Sequence, residues 1–222
     1  MKIMAHHESG NVLVFILIGV ALFGALGFTF MRSGQQGTGN LSSQQVKIAA
    51  GEVLSYAQQM ERAVGKIRTR RVSESDISFE INGDYVNAAC AVDSCKVFNA
   101  AGGQMTWQTP PSGANDATNW AITGAVRVSK IGTDGIVASN ADLTAFLPNV
   151  VLAVCLDINN RLGIANPSDA PPVATGAVSF ATKFTGTFAP GNLLTAAQID
   201  GKAAGCYRDG ANYHFYQVLL AR

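Results

Sequence analysis

Four cysteines, three histidines and 15 acidic residues are the groups in this 222-residue chain from which a reactive or metal-binding site would be built. Cys90 and Cys95 enclose Ala91-Val92-Asp93-Ser94, whereas Cys155 and Cys206 stand far apart in sequence. Four thiols allow three disulfide connectivities. Of these, Cys90–Cys95 with Cys155–Cys206 makes one local clip and one long-range tie. Closing the longer loop would contribute roughly 3–4 kcal/mol through lost entropy of the unfolded chain. A zinc site made by all four would want paired C-x2-C knuckles, which this spacing does not supply. A catalytic thiol would want a partnered histidine. His6 and His7 lie in a short leader, which leaves only His214, on a predicted strand.

Other chemistry is sparse. No nucleophile elbow, phosphate loop or metal-spaced His/Glu pattern occurs. Gly102-Gly103 could form an anion nest, but a hairpin turn explains the pair first. Asp76, Glu80, Asp84 and Asp93 cluster in sequence and could bind calcium. They lack EF-hand spacing, and a solvated edge accounts for them. The sequence therefore points to no catalytic residue, no metal site, no cofactor and no enzyme activity. A membrane-anchored enzyme is the least favoured reading, and a deep pocket with a perturbed carboxylate would revive it. With 16 Lys plus Arg against 15 Asp plus Glu, the net charge is +1, which gives no electrostatic case for nucleic-acid binding.

Mean hydropathy is +0.18, and much of the excess sits in one block. Residues 12–31, VLVFILIGVALFGALGFTFM, carry no charge. At roughly 1.5 Å per helical residue such a block spans about 30 Å, the hydrocarbon thickness of a bilayer. It is long for the core of a secretory signal, although Ala25-Leu26-Gly27 offers a weak cleavage pattern. Lys2 and Arg32 nearly balance across the span, so the positive-inside rule alone does not orient it. The cysteines do: paired cysteines fit an oxidising compartment, which places the large C-terminal part outside the cytoplasm.

Periodicity locates the elements that must hold these groups. Residues 32–45 are rich in Gly, Ser and Gln and read as a linker or a loosened turn. Val46, Ala50, Val53, Ala57, Met60, Val64 and Ile67 recur at spacings of 4 and 3, an apolar stripe that predicts an amphipathic helix over 46–71, with Ser42 or Ser43 at its cap. Basic residues crowd its end at Arg68, Arg70 and Arg71, where the helix dipole favours them; contact with anionic lipid or an acidic neighbour is the alternative.

Beyond Val72 the period becomes two. Strands are expected around Ile77–Ile81, in a hairpin from Val97 to Trp107, from Trp120 to Val128, and over Leu143–Leu147. Residues 149–163 predict a second helix, capped by Asn149 and ended by Gly163. Val178, Phe180 and Phe184 are further strand candidates, and Asp209-Gly210 turns a final hairpin whose last strand is apolar on both faces. The expected class is α+β: a long N-terminal helix, half membrane-spanning and half amphipathic, packed on an antiparallel β-sheet with one inserted helix. The segments are a 1–10 leader, an 11–31 transmembrane helix, a 32–45 linker, the 46–71 helix and a 72–222 extracytoplasmic domain.

The leader ends in Gly10, and the apolar block begins almost at once with Asn11-Val12-Leu13. This resembles the N-terminus of type IV prepilins and pseudopilins. The resemblance implies a pilin-like fold and cleavage by a prepilin peptidase between Gly10 and Asn11. It also implies an inner-membrane anchor that packs, through residues 12–31, with other pilin-like subunits and with lipid. The family usually carries Phe or Met first in the mature chain and Glu fifth, whereas here those residues are Asn11 and Phe15. Without the Glu the chain cannot pair with a neighbour's terminal amine inside an apolar bundle. The resemblance therefore implies a minor or tip-type subunit of a secretion or pilus machine. The alternative is a single-pass signal anchor carrying a periplasmic binding domain that forms no filament.

Overall fold

The computed structural model describes residues 16–19, 42–133, 140–176 and 178–222. The chain forms two compact units, Met1–Asn40 and Leu41–Arg222. In the first, residues 16–19 are helical and Ile16, Leu17 and Ile18 are exposed. The leader, the Gly10–Asn11 junction, most of the apolar block, residues 32–41 and the turn at Asp134-Gly135 lie outside the described residues. No helix among the described residues is long and apolar enough to cross a membrane.

Helix α1 spans Ser43–Thr69. It opens with a reciprocal capping box. Ser42 Oγ accepts the Gln45 N–H at 3.3 Å, and Gln45 Oε1 accepts the Ser42 N–H at 2.9 Å. Two of the N–H groups that a helix start leaves unpaired are thereby satisfied. The helix thus has its own start within the second unit. All seven stripe residues are buried, and Ala49, Leu54 and Ala63 widen the buried face. Arg71 ends the helix in the left-handed region at φ 66°.

The sheet comprises β1 (Ala121–Val128), β2 (Asp142–Leu147), β3 (Asn192–Leu194), β4 (Ala204–Asp209) and β5 (Asn212–Leu220), in the order β3-β1-β2-β5-β4. Pairs β1–β2, β2–β5 and β4–β5 are antiparallel, but β3 runs parallel to β1. Helix α2 spans Leu152–Leu162 and ends at Gly163, whose φ of 65° favours glycine. Both helices cover one face of the sheet, burying Met60, Ile158, Cys155 and Phe215 in a shared core. The opposite face is covered by the long segment after α2, where Ile164 and Ile199 pack on Phe146 and Tyr216. This explains why β5 is apolar on both faces: it is an internal strand between two layers.

Several expectations are corrected. The architecture is a mixed α+β one with a five-stranded mixed sheet, not a long N-terminal helix on an antiparallel, pilin-like sheet. The parallel strand is made possible at Gly191, where an added Cβ would fall 1.7 Å from Ala125 O, so only glycine lets the chain come alongside β1. Over Val97–Trp107 the chain turns back, with Gly103 N–H on Lys96 O and Met105 N–H on Val97 O at 3.4 Å, but the expected strands do not form; Val97 donates its N–H to Ser78 O, and Lys96 and Ser78 make an isolated parallel bridge. Phe180 and Phe184 are not in strands; they serve as plugs, against Phe146 and Phe79 respectively. Asn149 does not cap α2, whose first flanking residue is Val151. Asn149 stands at φ 55°, with its N–H donated to His214 Nδ1 and its side chain to Asp116.

Candidate functional site

The structure joins Cys90 to Cys95 and Cys155 to Cys206, with Cα–Cα separations of 5.8 and 5.5 Å. The first bridge clips the short helical turn Asp93–Cys95. The second ties α2 to β4 deep in the core, where both cysteines are fully buried. All four sulfurs are thus taken up by one another, which leaves neither a zinc ligand nor a thiol nucleophile in them. One turn beyond Cys155, Asn159 faces the same strand residue. Its Oδ1 accepts the Cys206 N–H at 2.8 Å and its Nδ2 donates to Cys206 O at 3.0 Å.

His214 is buried on β5, between the rings of Tyr207 and Phe180. Burial pushes its imidazole below the ordinary histidine range, against a smaller opposing pull from Asp209. Its Nδ1 accepts the Asn149 N–H at 3.2 Å, so it holds that loop. The four acidic residues are divided rather than gathered. Asp84 pairs with Lys183 at 2.6 Å, Glu80 and Asp93 share Lys96 at 3.1 and 3.2 Å, and Asp76 accepts from Ser75. No group of three or more His, Cys, Asp or Glu that could hold a metal ion occurs among the described residues.

Gly102 and Gly103 do not form an anion nest. Their N–H groups are donated to Asn99 O and Lys96 O. A Cβ on Gly103 would lie 2.4 Å from Val97 O and 3.0 Å from the Ala63 methyl. The glycines therefore let this loop press against α1, and the segment after the loop forms a groove with that helix.

The groove consists of two cavities, of about 330 and 300 Å³, that share Gln59 and Gln108. One wall is the solvent side of α1. Gln59, Arg62 and Lys66 line the larger cavity, and Glu52, Ser55 and Tyr56 the smaller. The other wall is the segment from Gln104 to Pro111. Over 104–108 its residues alternate between exposed and inward, with Met105 and Trp107 turned in and Gln104, Thr106 and Gln108 exposed. From Met105 on that is the period of a strand, although Gln104 is left-handed at φ 61°; the segment belongs to no sheet among the described residues and is joined to the preceding arm by the Met105 N–H donated to Val97 O at 3.4 Å. It is pinned at two points. Tyr56 Oη accepts the Gln108 N–H at 2.9 Å, and Lys66 Nζ donates to Gln104 Oε1. Burial pushes the Tyr56 hydroxyl up to about 12, only partly offset by that hydrogen bond. Trp120 packs on Tyr56 at 5.4 Å, and its buried indole N–H has no hydrogen-bond partner among the described residues.

Nothing matched the chain in comparisons with known protein families, curated proteins and solved structures. Its function therefore rests on residues and geometry. In sequence, Lys47, Glu52, Gln58, Glu61, Arg62, Lys66 and Arg68 form the face opposite the apolar stripe, with no site marked there. The signal that points to one is Gln59-Arg62-Lys66, at the 3-and-4 spacing that puts polar groups along one side of a helix. The alternation at Met105 and Trp107 is legible in sequence, but its lack of a partner strand is not.

Proposed function

We infer that this chain is a minor or tip-type, pseudopilin-like component of a bacterial envelope secretion or pilus assembly. Residues 12–31 anchor it in the inner membrane and pack beside the apolar helices of neighbouring subunits, after a prepilin peptidase cuts between Gly10 and Asn11. The domain from Leu41 onward sits on the periplasmic side. The observation that carries the reading is the junction itself, a polar leader closed by Gly10 and followed at once by an uncharged block of bilayer length. The two disulfides support an oxidising compartment for the domain. The mixed sheet lends the reading no support, which rests on the N-terminal residues.

One observation favours the second reading, an anchored binding domain that never enters a filament. The capping box at Ser42 starts α1 afresh, so the amphipathic helix needs no helical continuation on its N-terminal side. Photo-crosslinking from Leu17 in intact membranes separates the two. The assembly reading requires covalent adducts with other small single-span proteins. An anchored monomer gives lipid adducts alone.

A further inference from the structure

We propose that the groove between α1 and the 104–111 segment binds an extended, acidic peptide segment of a partner protein, with its carboxylates at Arg62 and Lys66. This stands independently of whether the leader is cut.

Charge identifies the end that meets the carboxylates. Six cations of the domain, Arg68, Lys96, Lys130, Arg161, Lys183 and Arg222, each have a carboxylate within 3.4 Å. The two that line the larger cavity do not. Arg62 has no ion pair among the described residues, and Lys66 reaches only the neutral amide of Gln104. One turn on, Arg70 is spent on the carbonyls of Ala101 and Gly102. No acidic side chain lines this larger cavity among the described residues. Glu52 lies in the adjoining one, about 15 Å along the helix from Arg62 at ~1.5 Å per residue. The groove is therefore polarised, with its positive end towards the C-terminus of α1.

Shape and hydrogen bonding identify the class of ligand. Side chains alternate along Met105–Gln108; Met105 and Gln108 give their N–H groups to Val97 O and Tyr56 Oη, while neither Thr106 nor Trp107 gives its N–H to a backbone carbonyl among the described residues. An extended peptide laid along this wall pairs with the backbone groups that remain. Gln59, Gln104 and Gln108 add amides that pair with peptide groups. A glycan would instead want an open aromatic face, but Tyr56 and Trp120 are only 5% and 2% exposed. The wall is pinned by Gly103 and by the Tyr56–Gln108 hydrogen bond, so little ordering is needed on binding. From Glu52 to Lys66 the helix rises about 21 Å, which an extended chain covers in roughly six residues.

The test uses the full-length chain in nonionic detergent and fluorescein-labelled hexapeptides that alternate Thr with Glu, Gln or Lys, read by anisotropy. The Glu peptide should bind, the Gln peptide more weakly, and the Lys peptide weakest. Arg62→Glu with Lys66→Glu should weaken the Glu peptide about tenfold or more, by loss and reversal of two charge contacts. Lys47→Glu with Lys202→Glu makes the same change in net charge away from the groove and should change affinity less than about twofold. Near-ultraviolet circular dichroism checks that each variant is folded; if the groove variant is not, the peptide series on the unaltered chain decides. Equal binding of the Glu and Gln peptides, equal weakening by the two double variants, or no binding at millimolar peptide overturns the proposal. So does displacement of the peptide by an oligogalacturonate hexamer at lower concentration than by the unlabelled peptide itself.

Discussion

Asn159 and Cys206 form a closed pair. The side-chain amide of the first accepts from the N–H and donates to the carbonyl of the second, at 2.8 and 3.0 Å, while Cys155, one helical turn earlier, is bonded to the sulfur of the same residue. The outer edge of β4 is thereby matched by a side chain at Cys206, and two residues on, Arg208 donates its N–H to Pro172 O and accepts from Ala174 N–H. An edge strand left bare would invite pairing with another chain. Here the edge is closed by α2 and by the segment after it.

Asn159→Leu strips the buried Cys206 groups of their partner and should cost about 1–3 kcal/mol per unsatisfied group. Urea denaturation followed by tryptophan fluorescence reads this loss. Asn159→Asp should also destabilise, because a carboxylate cannot donate to Cys206 O. A stability unchanged by either substitution would show that the brace contributes nothing.

The two disulfides should differ in weight. In the chain-entropy picture the bridge closing 51 residues of separation is worth roughly 4 kcal/mol, and the one closing five roughly 2 kcal/mol. Cys155→Ala with Cys206→Ala should therefore lower the denaturation midpoint more than Cys90→Ala with Cys95→Ala. The reverse order would show that strain or residual structure, not loop length, sets the effect.

His214 should make stability sensitive to acid. Its folded-state pKa is held below the ordinary value by burial, so the unfolded chain takes up the proton first. The stability tied to neutral His214 is complete above about pH 6.5 and is lost as the pH falls below it. Between pH 7.5 and 5 the urea midpoint should fall further for the unaltered protein than for His214→Gln. Parallel falls would contradict this.

Gly191→Ala tests the parallel pairing. A methyl group there has no space against Ala125 O, so β3 must separate from β1. The cost should be about 1–3 kcal/mol or more, as for overpacked sites. Hydrogen exchange should quicken at Ser129, whose N–H is given to Leu194 O of β3. Unchanged protection at Ser129 would refute it.

The features legible in the sequence are local ones. The Val46–Ile67 stripe locates α1 because its spacing follows from helix geometry, and Gly163 and Asp209-Gly210 mark ends and turns that need left-handed or tight backbone. The parallel β3 is not legible, because three residues carry no period and their pairing depends on the close approach at Gly191. Asn149 reads wrongly as a cap because helix caps and left-handed turns favour the same residue type. The groove is hidden for another reason: polar residues on a helix and on a lone strand-like segment look solvated until the fold sets them facing each other.

Placement in an envelope assembly is tested most directly at the N-terminus. The protein is isolated from its native membrane and its first residues are sequenced, with the intact mass measured alongside. Membership of such an assembly requires a chain that begins at Asn11 and keeps residues 12–31. A chain that still begins at Met1, or one cut near Gly27, would contradict it.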